Sequence, residues 1–143
     1  MSVAVVLDAA AFDMLDSEQA TGMRALLRSA IDEGGEVRCA AVTLAEVCRG
    51  MVRTRRVEAA LARRRGGQRI RVLPTDERFA KLVGAILHDT GAGSEHIADA
   101  HVVAACTTVD AAIVLTADPG DIATLAAAVP GTRIVTRSPA APL

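Results

Sequence analysis

The sequence predicts an α/β fold in which a central, mainly parallel sheet carries helices on both faces. Two unbroken apolar runs, residues 3–7 and 111–116, are typical of strands that are buried on both faces. Three weaker strand patterns alternate with helix patterns along the rest of the chain, and this alternation is typical of a parallel sheet. An aspartate closely follows each of the two strong runs: Asp8 after the first and Asp118 after the second.

The individual elements follow from apolar runs, capping residues and glycine or proline breaks. The predicted strands span residues 3–7, 36–41, 70–73, 111–116 and 132–135. The predicted helices span residues 9–15, 16–31, 43–65, 76–88, 95–107 and 120–128. Glycine pairs at 34–35 and 66–67 end two of these helices, and Thr75, Ser94 and Asp118 are the predicted N-caps of three others.

The length and composition indicate one soluble domain. A chain of 143 residues is long enough to bury a core without disulfides, so we expect one domain over residues 1–137 and a frayed tail over residues 138–143. Although 51% of the residues are hydrophobic, no apolar run approaches the roughly 20 residues of a membrane span, and the first residues lack a basic signal-peptide start. We therefore expect a cytoplasmic protein that has no membrane partner.

The three cysteines predict buried free thiols rather than a disulfide framework or a zinc site. Cys39, Cys48 and Cys106 are an odd number, and no pair has the C-x-x-C spacing. His96 and His101 are five residues apart and fall on different helix faces, which argues against a site with two histidines.

Several acidic residues have structural explanations that compete with a functional one. Glu46 is the last residue of Thr43-x-x-Glu46, the pattern of a capping box. Asp118 precedes Pro119 as an N-cap would, and Asp121 would complement the dipole of the same helix. Taken singly, each of these acids is explained by capping.

Asp99 is harder to explain as a surface residue. Val102, Val103 and Cys106 follow it at helical spacing, so Asp99 belongs to the apolar stripe of its helix. Because an unpaired buried carboxylate is costly, Asp99 requires a partner, and arginine or a metal ion would serve.

If the two strong strands are neighbours, Asp8 and Asp118 converge at one edge of the sheet, and helices can bring Glu46 and Asp99 to them. Carboxylates that lie close together raise one another's pKa and therefore favour a bound divalent cation. Ligation by oxygen alone favours Mg²⁺ or Mn²⁺ over Zn²⁺. Such a site activates water for phosphodiester cleavage, so the expected substrate is nucleic acid.

The order Asp8, Glu46, Asp99, Asp118 resembles that of the PIN-domain nucleases, and specifically the VapC-type toxins of bacterial type II toxin–antitoxin systems. The run that ends in Asp8 looks like their first motif, and Thr43-Leu44-Ala45-Glu46-Val47 looks like their second. Residues 97–105, IADAHVVAA, resemble the helix of the third acid, and residues 115–121, LTADPGD, resemble the final motif. The likeness covers nearly the whole chain.

The resemblance implies a PIN-like three-layer α/β/α fold and a Mg²⁺-dependent endoribonuclease in which Mn²⁺ can substitute. It implies that Asp8 and Asp99 are the principal metal ligands, that Glu46 completes the site, and that Asp118 assists, with Asp121 as a further candidate. It also implies a cognate antitoxin and a homodimer. The chain departs from the family pattern where Ala9-Ala10-Ala11 replaces a hydroxyl residue after the first aspartate, and where Ile122 replaces an aromatic residue.

Nine arginines lie between Arg49 and Arg71, against the single acid Glu58. Guanidinium groups bind phosphate in a bidentate way, so this segment predicts contact with RNA or antitoxin, although a solvated helix face is the alternative. Phe12 and Phe79 are the only aromatic residues of the chain, which leaves no stacking platform for bases. The residues expected to make these contacts are Arg49, Arg53, Arg63, Arg64 and Arg65.

Two other functions remain open at this point. A phosphorelay receiver domain is also a Mg²⁺-binding α/β fold, but receivers have paired acids after the first strand and a lysine after the last, whereas Lys81 lies within a predicted helix. The other alternative is a catalytically inert RNA- or protein-binding module with a PIN-like fold.

Overall fold

A computed structural model describes residues 1–141 and shows a parallel sheet between two layers of helices. Within these residues the strands are β1 (Val3–Leu7), β2 (Glu36–Ala40), β3 (Arg71–Leu73), β4 (Ala111–Leu115) and β5 (Arg133–Arg137). Their order across the sheet is β3-β2-β1-β4-β5, and every neighbouring pair is parallel. The predicted mainly parallel sheet is confirmed.

Helices connect these strands. The α-helices are α1 (Ala9–Met14), α2 (Thr21–Asp32), α3 (Ala41–Val47), α4 (Met51–Ala62), α5 (Glu77–Thr90), α6 (Ile97–Ala104) and α7 (Pro119–Ala126). Short 3₁₀ turns at Glu18–Ala20 and Ser94–His96 precede α2 and α6.

The central strand β1 is buried on both faces, as its unbroken apolar sequence predicts. Val5 and Leu7 face a core that includes residues of α1, α2 and α4. Val6 faces a second core that includes residues of α5, α6 and α7. Because successive side chains of a strand point to opposite faces, one short strand supplies the centre of both cores. The result is the predicted three-layer α/β/α arrangement.

The two strong strands are parallel neighbours, and the order in which strands are added to the sheet reverses between them. From β1 the chain builds outward through β2 to β3, and then returns to place β4 and β5 on the other side of β1. The register sets Leu7 beside Leu115, so the carboxyl ends of β1 and β4 lie side by side. In open α/β sheets, this point of reversal is where a ligand crevice forms.

The helix predicted over residues 43–65 is wrong in both its continuity and its end. Two helices occupy this stretch, and the break between them contains Gly50 in a left-handed conformation with φ of +83°. Met51 is 69% exposed, so it does not continue an apolar stripe from α3. Helix α4 ends at Ala62, and residues 63–65 therefore lie beyond it.

Three predicted caps are also wrong. Asp76, and not Thr75, caps α5 by accepting a hydrogen bond from the backbone N–H of Phe79. Ser94 begins a 3₁₀ turn, and α6 itself begins at Ile97. Thr43 lies inside α3, whose N-cap position is Ala40, so the capping box with Glu46 does not form.

The remaining general expectations concern the thiols, the membrane and the tail. Cys39 and Cys106 are buried and Cys48 is half-buried, and all three are free, as predicted. Within residues 1–141, no helix combines the length and the apolar character that crossing a membrane requires. Residues 138–141 form a turn, and Pro142 and Leu143 lie outside the described residues. The frayed tail stays a prediction.

Candidate metal centre

Asp8 is fixed at the carboxyl end of β1 by donors to both of its side-chain oxygens. It is the N-cap of α1, and its Oδ1 accepts a hydrogen bond of 2.8 Å from the backbone N–H of Ala9. Its Oδ2 accepts a hydrogen bond of 2.7 Å from Oγ1 of Thr116. The residue is only 6% exposed, so these two bonds set the direction of the carboxylate.

Thr116 is a site residue that sequence reasoning missed. It follows β4 directly, is 1% exposed, donates to Asp8 and accepts a hydrogen bond of 3.0 Å from the backbone N–H of Asp118. It therefore joins the ends of the two central strands. The signal was present in Thr116-Ala117-Asp118, because a hydroxyl at the end of β4 lies across from the end of β1 once the strands pair.

Asp99 approaches the strand ends from the first turn of α6. One side-chain oxygen from each of Asp8, Asp99 and Asp118 lies within 4.8 Å of the others. Burial, followed by the negative charges of Asp8, Asp118 and Asp121, raises the pKa of Asp99 to about 6, and His96 opposes this shift.

Glu46 stands at the edge of this group on α3, a helix that contacts both α1 and α6. Partial burial is the largest cause of the raised pKa of Glu46, although much of its surface stays exposed. The charges of Asp8 and Asp99 raise the same pKa further, and Arg49 lowers it. The hydroxyl of Thr43, which the capping box would have used, is buried and has no hydrogen-bond partner.

Asp118 and Asp121 come from the start of α7. Asp118 occupies the N-cap position, but its side chain makes no capping hydrogen bond, so the capping explanation fails for its carboxylate. Asp121 is exposed in the first turn of the helix. Its carboxylate forms a second close group with Asp99 and His96, again with the three ligand atoms within 4.8 Å of one another.

A comparison with models of protein families identifies the family of this chain. The PIN domain model matches residues 5–127. The chain belongs to the PIN domain family. A comparison with curated proteins gives no match.

Solved structures share the fold of this PIN domain. FitAB bound to IR36 DNA fragment aligns over 96% of each chain at 23% identity, with a TM-score of 0.61. VapBC2 from Rickettsia felis, bound to a DNA fragment from their promoter, aligns over 94% of this chain and 99% of that chain at 11% identity, with a TM-score of 0.63. DNA-bound VapBC from Salmonella typhimurium aligns over 94% and 98% at 17% identity, with a TM-score of 0.59. At these identities the likeness shows the fold alone.

The donor set of the PIN domain fits a hard divalent cation. Asp8, Asp99 and Asp118 offer oxygen atoms at the end of a rigid sheet, and oxygen is the ligand that Mg²⁺ prefers. Burial is the largest cause of the raised pKa of Asp99, and repulsion from the neighbouring carboxylates raises it further. The arrangement therefore opposes full ionisation unless a positive charge is supplied.

The arginines from Arg49 to Arg71 lie along the surface, with Arg65 half-buried, and they differ in their partners. Arg53 pairs with Asp13 of α1 at 2.7 Å, and Arg56 approaches Asp16 at 3.8 Å. Arg65 is half-buried and donates to the backbone oxygen of Ala60.

Three of the other arginines named above are exposed. Arg63 and Arg64 lie beyond α4, and Arg64 donates to the backbone oxygen of Gly67. Arg49 donates to the backbone oxygen of Ala45 and is the arginine whose charge acts on Glu46.

Proposed function

We propose that this PIN domain is a divalent-cation-dependent endoribonuclease that acts as the toxin of a toxin–antitoxin pair. The observation that carries the proposal is the convergence of Asp8, Asp99 and Asp118, which leaves three carboxylate oxygens within 4.8 Å of one another. The PIN family match supports a nuclease, and the FitAB and VapBC structures support an antitoxin partner.

In this proposal Asp8, Asp99 and Asp118 hold Mg²⁺, for which Mn²⁺ can substitute, and Glu46 completes the site from α3. The bound cation would lower the pKa of water and stabilise the charge that develops on the phosphodiester oxygens. Thr116 and the backbone N–H of Ala9 keep the Asp8 carboxylate pointed into the site, so no energy is spent on orienting it at the moment of reaction.

The RNA backbone would be held by arginines that keep free donors at the surface. The charge of Arg49 acts on Glu46, and Arg63 and Arg64 lie beyond the end of α4. Arg53 already forms an ion pair within the chain and Arg65 is half-buried, so we assign them a structural contribution first. Binding through phosphates, without aromatic stacking, would make affinity depend strongly on salt. The homodimer stays part of the proposal.

The test is cleavage of RNA by the purified protein in Mg²⁺, Mn²⁺ and EDTA. We expect Asp99→Asn to lower the cleavage rate on the order of a hundredfold or more. The substitution removes a carboxylate charge from the proposed cation site, where the transition state of cleavage is stabilised. Asp89→Asn is the matched control, since Asp89 is an exposed aspartate of α5. Expression of the parent alone should arrest growth, and Asp99→Asn should not.

Three results would contradict the proposal. If the parent continues to cleave RNA in EDTA, cleavage does not depend on a divalent cation. Cleavage by Asp99→Asn at the parental rate would show that Asp99 is not required for the reaction. Failure of the parent to cleave RNA with any cation, while it still binds RNA, would favour the inert binding module.

A further inference from the structure

We propose that His96, Asp99 and Asp121 form a second cation position, and that its imidazole nitrogen gives it a preference for a first-row transition cation such as Mn²⁺ over Mg²⁺. This inference rests on the proposed function because the two positions share Asp99. It adds a ligand, His96, that the acidic motifs do not contain, and it assigns a cation selectivity to one side of the site.

The three residues come from different parts of the fold. His96 closes the 3₁₀ turn before α6, Asp99 lies in the first turn of α6, and Asp121 lies in the first turn of α7. Their ligand atoms all lie within 4.8 Å of one another. His96 and Asp99 are three residues apart at the start of α6 and are therefore close together. Asp121 reaches them because α6 packs against α7.

The direct contacts within this group do not satisfy its charges. Nδ1 of His96 lies 4.0 Å from Oδ2 of Asp99, which is too long for a hydrogen bond. Asp121 adds a second carboxylate within 4.8 Å, so this group has two negative side chains beside one imidazole. A cation between them would bind all three groups at once.

A carboxylate lies near each ring nitrogen of His96. Its Nδ1 faces Asp99, and its Nε2 lies 3.8 Å from a carboxylate oxygen of Glu95. Histidines that bind metals usually present their second ring nitrogen to a carboxylate, a carbonyl or water, which fixes the ring orientation. The Glu95 carboxylate lies beside this nitrogen, but at 3.8 Å it is too far away for a hydrogen bond.

Space for a hydrated ion lies beside these residues. A cavity of about 80 Å³ is lined by His96 and Asp121 together with Ala92, Thr124 and Leu125. One water takes up about 30 Å³ in the liquid, so the cavity admits the waters that would complete the coordination of a cation.

The nature of the donors separates the two positions. The group of Asp8, Asp99 and Asp118 offers only oxygen, which Mg²⁺ prefers. The group of His96, Asp99 and Asp121 adds a nitrogen, and imidazole is a better ligand for first-row transition cations than for Mg²⁺. We therefore expect Mg²⁺ to fill the first position well and the second poorly, and Mn²⁺ to fill both.

The experiment measures Mn²⁺ bound per chain by electron paramagnetic resonance and calorimetry on the full-length protein without RNA, with Mg²⁺ as competitor. For the parent we expect two bound Mn²⁺, of which excess Mg²⁺ displaces one readily and the other poorly. His96→Asn should lose the Mg²⁺-resistant ion, with its affinity at least about tenfold weaker. His88→Asn is the matched control, because His88 is an exposed histidine of α5.

Two further variants separate this inference from the proposed function. Asp121→Asn should lose the same ion as His96→Asn, which keeps the test valid if circular dichroism shows that one of these variants fails to fold. Asp118→Asn should instead weaken the readily exchanged ion and leave the Mg²⁺-resistant one in place.

The outcomes are distinguishable. If His96→Asn and Asp121→Asn bind Mn²⁺ with the stoichiometry and affinity of the parent, the second position is overturned and the proposed nuclease site survives. If the parent binds neither Mn²⁺ nor Mg²⁺, both proposals fail together.

Discussion

The acidic end of the sheet and the arginine-rich segment from Arg49 to Arg71 carry opposite charges and differ in how those charges are partnered. At the sheet end, three carboxylates from different elements lie within 4.8 Å of one another. Along the arginine segment the cations are spread over the surface, and Arg53 forms an ion pair with Asp13. The fold thus concentrates negative charge at one point and disperses positive charge.

This difference indicates where binding energy is available. Concentrated carboxylates make the folded state less stable as they ionise, so a cation bound there gains both its own attraction and the relief of repulsion. Exposed arginines in water gain little from their existing pairs, with a typical contribution of about 0–1 kcal/mol. We therefore expect substitutions at the sheet end to affect function strongly, and substitutions along the arginine segment to act weakly and through salt.

Among substitutions outside the proposed cation ligands, the largest effect is expected for Thr116→Val, which removes the hydroxyl between Asp8 and Asp118. The variant leaves a buried carboxylate oxygen without its donor, which costs about 1–3 kcal/mol of folding stability. Because Thr116 orients a proposed ligand, cation affinity and cleavage should fall about 10–100-fold. Calorimetric titration with Mn²⁺ and a cleavage assay provide the two measurements.

Controls separate positioning from loss of fold. Thr116→Ser keeps the hydroxyl and should restore cation affinity. Thr54→Val is the matched control, since Thr54 donates to the backbone oxygen of Gly50, the N-cap residue of its own helix. A Thr116→Val protein that folds and binds Mn²⁺ as the parent does would show that Asp8 needs no help from β4.

An intermediate effect is expected for the double variant Arg63→Ala/Arg64→Ala. Both side chains are exposed beyond the end of α4, so their removal should leave the melting temperature unchanged. If each neutralises one RNA phosphate, the slope of log K against log[salt] should decrease in magnitude by about 1.4, at about 0.7 per phosphate for a single strand. Filter binding at several salt concentrations would measure it, and an identical slope would exclude these two arginines from the interface.

The smallest effect concerns the pair of Arg53 with Asp13. Because both side chains are largely exposed, a double-mutant cycle with alanine at each position should give a coupling of about 0.2–1 kcal/mol in urea unfolding. The pair joins α4 to α1, so its role is structural, and Arg53→Ala alone should leave the salt dependence of RNA binding unchanged. A change in that slope as large as the one expected for Arg63 and Arg64 would return Arg53 to the RNA surface.

The same comparison explains what could be predicted from the sequence. Asp8 and Asp118 were expected to converge if the two strongly apolar strands were neighbours, and the pairing of β1 with β4 meets that condition. The hydroxyl of Thr116 was missed because it was sought next to Asp8 in the chain, whereas it comes from the neighbouring strand. A contact across a sheet depends on strand order, which local patterns do not encode.

In the arginine segment, both local backbone conformation and long-range packing limited what could be predicted from the sequence. Gly50 has a positive φ in the break between α3 and α4. A single glycine within a helical pattern does not reveal whether the chain adopts a positive φ there or continues as a helix. The partner of Arg53 depends on how α4 docks on α1, which is a property of the assembled core. The pattern of charges predicted a basic surface but not which arginines are free.

The central claim is that the carboxylates at the sheet end form a cation site, and thermal melts of the parent and Asp99→Asn test it most directly. The pKa of Asp99 is raised to about 6 in the folded protein, so its ionisation lowers stability as the pH rises from about 4 to about 6, and the loss is complete near neutrality. At pH 7 in EDTA, Asp99→Asn should therefore melt no lower than the parent.

Mg²⁺ should reverse this order. At one hundred times Kd the parent should gain about 2.7 kcal/mol, and the variant, which lacks a ligand, should gain far less. The melts are followed by circular dichroism because the chain has no tryptophan or tyrosine. A parent that melts above Asp99→Asn only when Mg²⁺ is present is the predicted result, and equal Mg²⁺ shifts in the two proteins would contradict the account.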